Sequence, residues 1–262
     1  MGSERGRSIP LSLPRRWIGD MLHFAMKVPL VAAERTLRIR TLVEARRATP
    51  FAPSWYATMF KAFAMVSERI PELRRAYMPY PWAHFYEHPF SVGSVVITRE
   101  YEGETATFLC PVLHPERLPL TKLHDKLQSL QNDPVEKHGS MRRLIRTSKL
   151  PRPIRRLFWA TGLYLSGSLR TGNFGTFSIN TNAKGRGIRT LQFVTPLTSV
   201  FYFGLPSSEG SMDTQLAFDH RVFDGATAYR IGSELESVLN KDLAAETRVS
   251  GRPHGLADQA AA

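Results

Sequence analysis

The chain has 262 residues, 42% of them apolar, with a formal net charge of +12 and a single cysteine. That length and apolar share suffice for one large domain or two small ones with a full core, and they exclude a largely disordered chain or one framed by disulfides. No window of about 18 apolar residues is free of charge, so no membrane-spanning helix is expected. The basic balance suits a polyanionic ligand, yet no zinc spacing, recognition helix or aromatic RNA-binding strand motif is present, so nucleic acid is not expected as a partner.

Residues 1–12 are polar and expected to be mobile. Leu13 to Met26 predicts a helix with Trp17, Met21, Phe24 and Ala25 on one face. Arg15 and Arg16 precede that stretch as in a signal segment, but Asp20, His23 and Lys27 interrupt it and no small-residue cleavage site follows. The protein is therefore expected in the cytoplasm. Val28 to Ile39 predicts a strand, Thr41 to Arg47 a short helix, and Pro53-Ser54 opens a strong helix over Trp55 to Arg69.

Phe90 to Thr98 and Ala106 to Leu113 predict two strands joined at a Glu102-Gly103 turn, followed by a helix over Leu118 to Leu130. Cys110 sits among apolar strand residues that would raise its pKa, so it is expected to be inert. Residues 134–173 carry many Lys and Arg and then the apolar run Leu157 to Leu165. Basic residues beside aromatics mark some membrane-surface helices, but a cover for part of the core or a subunit contact is the favoured reading. Gly172 to Thr181 predicts a strand, Leu191 to Gly204 a strand pair or a bent strand, and residues 246–262 a flexible tail. There is no internal repeat.

The stretch that organises the chain is Thr214 to Ala226. A strand with Leu216 and Phe218 on one face delivers Asp219 and His220 to a turn, and Asp224-Gly225 opens a helix that runs to about Leu239. Loops after strand ends commonly present chemical groups, an Asp before a helix caps its first turn, and Gly permits a tight backbone.

The run Asp219-His220-Arg221-Val222-Phe223-Asp224-Gly225 resembles the D-H-R-x-x-D-G signature of the acyltransferase component of 2-oxo acid dehydrogenase complexes, within the chloramphenicol acetyltransferase-like superfamily. Further resemblance lies in the opening helix running into the Pro29 strand, in Pro71-Glu72-Leu73-Arg74 where the family has P-E-L-N, and in Phe174 to Thr181. It covers most of residues 13–240 and is strongest over 174–240. Residues 13–245 are thus expected to form one catalytic domain, with 134–173 as a basic, aromatic insertion. The resemblance implies an α/β two-layer sandwich, a mixed sheet with helices packed on it, assembled as a homotrimer. Neither a lipoyl-bearing domain nor a subunit-binding domain is present, which turns the expectation toward a free-standing enzyme.

By the same resemblance, His220 acts as general base on the acceptor of an acyl group carried by a coenzyme A thioester. Coenzyme A enters as a substrate, the acceptor is a small molecule, and no metal is required. Asp224 braces the loop, with Arg15 or Arg16 as candidate salt-bridge partners. Asp219, Arg221 and Gly225 support the turn. The family's oxyanion-binding Ser falls at Asn180, whose amide can donate in its place, with Ser178 and Thr181 as neighbouring substitutes. Strand alternation sends Ser178 and Asn180 to one face and Thr181 to the other. Two other readings stay open: a catalytic core of a 2-oxo acid dehydrogenase complex loaded with an acyl-dihydrolipoyl group from another chain, and a non-catalytic trimeric binding relative.

Overall fold

The computed structural model describes residues 6–50, 52–181 and 194–250. Helix α1 (Leu13–Ala25) starts where the Ser12 hydroxyl accepts from the Arg15 N–H, with Pro14 in the first turn. Strand β1 (Leu30–Arg38) and helices α2 (Arg40–Arg47) and α3 (Trp55–Arg69) follow, Ser54 capping α3 through the Ala57 N–H. Strands β4 (Val92–Tyr101) and β5 (Glu104–Leu113) form a hairpin whose Glu102 and Gly103 both have positive φ, 51° and 77°, a turn matched to the twist of the strands.

Six strands make one mixed sheet in the order β1-β8-β7-β6-β4-β5, where β6 is Phe177–Thr181, β7 is Ser199–Phe203 and β8 is Ser211–Asp219. The central pairs β4–β6 and β6–β7 are parallel, and the outer pairs are antiparallel. The β1–β8 register sets Leu30 opposite Asp219, so the end of β8 lies beside the start of β1.

Every residue of α3 from Ala57 to Ala64 is buried, because the sheet lies on one side of it and other helices on the rest. Phe60 and Phe63 meet Phe177 with ring centroids 5.7 and 4.9 Å apart, and Phe63 meets Phe201 at 5.1 Å. Helix α4 (Leu120–Asn132) and the closing helices α8 (Gly225–Val238) and α9 (Ala244–Ser250) complete this layer. No helix among the described residues is long and apolar enough to cross a membrane.

Several elements differ from the sequence expectation. Arg75–Met78 and His84–Glu87 form a small two-stranded sheet, β2 and β3, that periodicity over four residues did not reveal. Gly172 to Phe174 belong to helix α7 (Gly167–Phe174), and the chain changes to strand at Gly175, whose φ of +86° ends the helix. In the stretch expected as a strand pair, only Ser199–Phe203 is strand among the described residues, and 191–193 lie outside them. The expected tail is helical to Ser250. Glu246 accepts both from the buried Lys61 Nζ, at 2.7 and 2.6 Å, and from the Leu120 N–H at 2.7 Å, so α9 ties α3 to the start of α4. Of the ends expected to be mobile, 1–5 and 251–262 lie outside the described residues.

The 134–173 segment is built into the core. It forms α5 (Gly139–Lys149), α6 (Arg152–Ala160), a π-helical stretch Thr161–Leu165, and α7. These pack with α1 beside β4 and β5. Trp159 is 1% exposed and sits among Trp17, Phe24 and Phe174, with centroids 4.5, 5.9 and 4.7 Å away. Asp20, which interrupts the apolar face of α1, meets Arg155 at 2.6 Å, both side chains being less than a tenth exposed.

Removing one partner of such a buried pair leaves an uncompensated charge, at a cost of about 3–5 kcal/mol. Asp20→Ala is therefore expected to lower the unfolding free energy by about that amount in urea titrations, whereas Asp20→Leu combined with Arg155→Leu recovers most of it. A loss under about 1 kcal/mol would show that the ion pair does not tie α1 to α6.

Candidate active site

Strand β8 is covered on both flanks at its C-terminal end, and its last four residues, Leu216 to Asp219, are all buried. There the chain turns back on itself. The Asp219 N–H donates to the Thr198 carbonyl at 2.8 Å, and the Asp219 carbonyl accepts from the Val222 N–H at 2.9 Å. The Asp219 carboxylate is fully buried and accepts three bonds from Arg221: its backbone N–H at 3.1 Å, Nε at 2.9 Å and Nη2 at 2.7 Å. A two-pronged guanidinium contact of this kind makes a buried carboxylate tolerable and fixes its orientation. The guanidinium lies 4.3 Å from the centre of the Tyr77 ring.

This turn lifts His220 out of the sheet. Its backbone N–H donates to the Pro29 carbonyl at 3.1 Å, and its ring is exposed. Imidazole Nδ1 stands 3.1 Å from the Phe223 carbonyl oxygen. A carbonyl only accepts, so Nδ1 carries the proton and Nε2 keeps its lone pair in the neutral ring. The ring meets Phe218 edge-on at 5.8 Å, and Phe223 stacks on Phe218 at 4.6 Å. Val222 and Phe223, the free positions of the motif, are thus buried anchors that seat the turn.

Asp224 is the N-cap of α8, and its carboxylate accepts from the Thr227 N–H at 3.0 Å. That N–H is the main reason its carboxyl is held below the ordinary carboxylate value. Arg15 and Arg16 do not reach it: Arg15 pairs with Glu104 at 2.7 Å and Arg16 bonds the Leu11 carbonyl, because α1 packs against β5, at the opposite side of the sheet from β8. Gly225 opens α8, and a Cβ built there meets nothing within 4 Å, so the chain's own packing does not demand a glycine.

The strand candidates lie elsewhere. Ser178 is buried, while Asn180 and Thr181 are half-buried at the end of β6. The Asn180 side chain bonds the Tyr202 hydroxyl. Asn180 pairs with Tyr202 on β7, which pairs with Gln215 on β8, five positions before His220. At about 3.3 Å per residue and about 4.8 Å per strand, Asn180 and His220 of one chain are about 19 Å apart. One chain brings together Asp219, His220, Arg221, Asp224 and Gly225, but not Asn180, Ser178 or Thr181. Cys110 is fully buried, and burial pushes its thiol pKa up.

Sequence reasoning missed Tyr77, Thr198 and Arg170. Arg170 is 5% exposed and donates to the Tyr77 and Pro196 carbonyls at 3.2 and 2.8 Å. It stood in the basic 134–173 run with no local sign to separate it from solvated members such as Arg142 and Arg143, and Tyr77 belongs to the hairpin that periodicity did not reveal.

No protein-family model and no curated protein sequence matches the chain. Among solved structures, it is similar to the probable dihydrolipoamide acetyltransferase of Listeria monocytogenes 4b F2365, with a TM-score of 0.62 and 14% identity over 90% of this chain and 95% of that one. The dihydrolipoamide acetyltransferase of Azotobacter vinelandii follows at 0.60 and 16%, over 92% and 93%. A truncated catalytic core of the 2-oxoacid dehydrogenase complex of Thermoplasma acidophilum gives 0.60 and 15%, over 90% and 99%. The chain has the fold of these acyltransferase catalytic cores.

The cap has a pH signature. Because the folded-state pKa of Asp224 is depressed, its contribution to stability is full above the unfolded carboxylate value and fades as pH falls through the folded one. Asp224→Ala is expected to be less stable than wild type at pH 7, with the gap closing below about pH 4. Asp224→Asn keeps most of the cap. Thermal melts of the three proteins at pH 7 and pH 3 check this, and a gap that does not change with pH rules out the carboxylate as its source.

Proposed function

We propose that this chain is an acyltransferase that moves an acyl group from a coenzyme A thioester to a small-molecule acceptor, with His220 as general base. The observation that carries the reading is the His220 ring itself: exposed, with Nδ1 committed to the Phe223 carbonyl and Nε2 left to accept a proton. The fold shared with dihydrolipoamide acetyltransferases supports it. So does a spacing. A serine, a histidine and an asparagine four residues after that histidine were investigated in the mechanism of the Azotobacter vinelandii enzyme, and Asp224 stands four residues after His220.

In the reaction, Nε2 takes the proton of the acceptor's hydroxyl, amine or thiol as that atom attacks the thioester carbonyl. A tetrahedral oxyanion forms. Its collapse breaks the carbon–sulfur bond, and the departing thiolate takes the proton back from the imidazolium. Acyl acceptor and free thiol are the products, and the ring returns to its starting state. A preorganised donor to the oxyanion commonly lowers the barrier by about 3 kcal/mol. Asn180 is assigned that role. It stands about 19 Å from His220 of its own chain, so the donor comes from a second copy, and the working unit is a homotrimer with sites between subunits. An acyl-dihydrolipoyl donor on another chain would be served by the same groups, and the similarity to dihydrolipoamide acetyltransferases favours testing it beside acyl-CoA.

A screen of acyl-CoA and acyl-dihydrolipoamide donors, read as free thiol released, tests the activity. His220→Ala is expected to lower turnover by roughly two to four powers of ten while leaving the melting temperature near wild type, since the ring is exposed. Turnover that survives this change would sink the general-base assignment.

The two-copy site has its own test. His220→Ala and Asn180→Ala, each impaired alone, are mixed, unfolded and refolded together. Mixed oligomers pair an intact His220 with an intact Asn180 at some interfaces, so partial activity should return, with light scattering giving three times the chain mass. A monomeric, fully active wild type, or no recovery from mixed trimers, refutes the shared site.

A further inference from the structure

Beside the Asp219–Arg221 turn, with Arg221 in its lining, lies a cavity of about 240 Å³. Its walls bring together α1, the β2–β3 hairpin and the stretch joining α6 to α7. Among the described residues, three cationic side chains line it, Lys27, Arg170 and Arg221, and no Asp or Glu does. The fork of Arg221 is taken up by Asp219. Arg170 is in a different position. Only backbone carbonyls accept from it, and among the described residues it makes no ion pair. Asp219 is close enough to favour its charge, yet the Asp219 oxygens already serve Arg221. A guanidinium 5% exposed with no anion of its own is costly, and desolvation pushes its pKa down to about 10.

The remaining walls are apolar, half of them aromatic. Phe24, Tyr77, Tyr80 and Tyr164 line the cavity, with Tyr80 and Tyr164 in edge contact at 6.4 Å and Lys27 Nζ 5.5 Å from the Phe24 ring centre. An apolar cavity of about 150 Å³ admits benzene, so this one has room for a ring and a charged group but not for a nucleotide. Such a site joins apolar walls to a few placed polar groups.

We propose that this cavity binds a small aromatic acid, its carboxylate on Arg170 and Lys27 and its ring among the tyrosines. A planar carboxylate matches the guanidinium fork. Binding here is separate from acyl transfer: it is measured directly, and it stands or falls whether or not His220 moves a proton.

Calorimetric titration of the full-length protein with benzoate, benzyl alcohol and inorganic phosphate tests the proposal. Benzoate is expected to bind at least about tenfold more tightly than benzyl alcohol or phosphate, because only benzoate offers both ring and anion. Lys27→Ala, at an exposed position, should weaken benzoate roughly two- to fivefold. Arg170→Met should weaken it by about thirtyfold or more. Since Arg170 also ties Tyr77 to Pro196, Tyr80→Ala at the exposed rim serves as a second variant should Arg170→Met fail to fold, and it too should weaken benzoate. Equal binding of benzoate and benzyl alcohol, equal binding of benzoate and phosphate, no benzoate binding at millimolar concentration, or affinity unchanged in both Lys27→Ala and Tyr80→Ala would each overturn it.

Discussion

The fork between Asp219 and Arg221 closes the end of β8 on itself, and the geometry of the candidate site depends on it. A carboxylate with no solvent contact has to be met by an opposite charge, and the nearest one lies two residues on in the chain. Meeting it folds the backbone so that the residue between them, His220, points away from the sheet. The same turn presents the Phe223 carbonyl to Nδ1 and starts α8 on the Asp224 cap. A carboxylate buried in the strand end and held by its arginine thus sets the tautomer of an imidazole at the surface. Tyr77 covers the guanidinium from the β2–β3 hairpin, so an element outside the main sheet also supports the turn.

Two other charge pairs, each with at least one buried member, join distant parts of the chain. Arg155 with Asp20 fastens α6 to α1, and Lys61 with Glu246 fastens α3 to α9. Both oxygens of Glu246 are hydrogen-bonded, and Asp20 bonds Arg155 through Oδ2 with Arg156 3.7 Å from Oδ1, which favours one arrangement of the helices over sliding alternatives. Glu246 shows the economy of this: one carboxylate neutralises Lys61 and caps an orphan N–H at the start of α4. Arg170 is the exception among the buried cations described, having carbonyl partners and no ion pair. The cavity it lines is bounded by the helical stretch from the basic 134–173 segment, which carries no acidic residue from 137 onward.

Much of the element order was legible because the signals were local and strong. Pro53-Ser54 marks a helix start, Glu102-Gly103 marks a tight hairpin, and the residues from Thr214 to Gly225 mark a strand, a turn and a capped helix. The failures have local reasons too. Strands of four residues such as β2 and β3 carry too few alternations to register. Gly172 to Phe174 sat in an apolar, strand-like context and yielded to the helix before them, with the change of structure deferred to Gly175. Residues 246–250 looked like solvent-exposed tail because their composition is polar, yet Thr247 is fully buried and Glu246 is paired.

By itself the sequence determined that this is an α/β chain with a full core and that His220 lies at a strand-to-helix turn, flanked by an acid and an arginine and followed by a helix cap. Those properties depend on side chains a few residues apart, whose distances the backbone dictates before any long-range packing occurs. Only the tertiary structure decided that the 134–173 segment is part of the core, that Arg15 and Arg16 pair away from Asp224, and that Arg155 and Arg170 are buried while Arg142 and Arg143 are solvated. Only the strand order decided that Asn180 and His220 of one chain lie far apart: both belong to the same sheet, but a whole strand separates them sideways and the antiparallel run of β8 carries His220 to the opposite end. Distances of that kind are set by which strands pair and in which direction, and spacing along the chain holds no record of either.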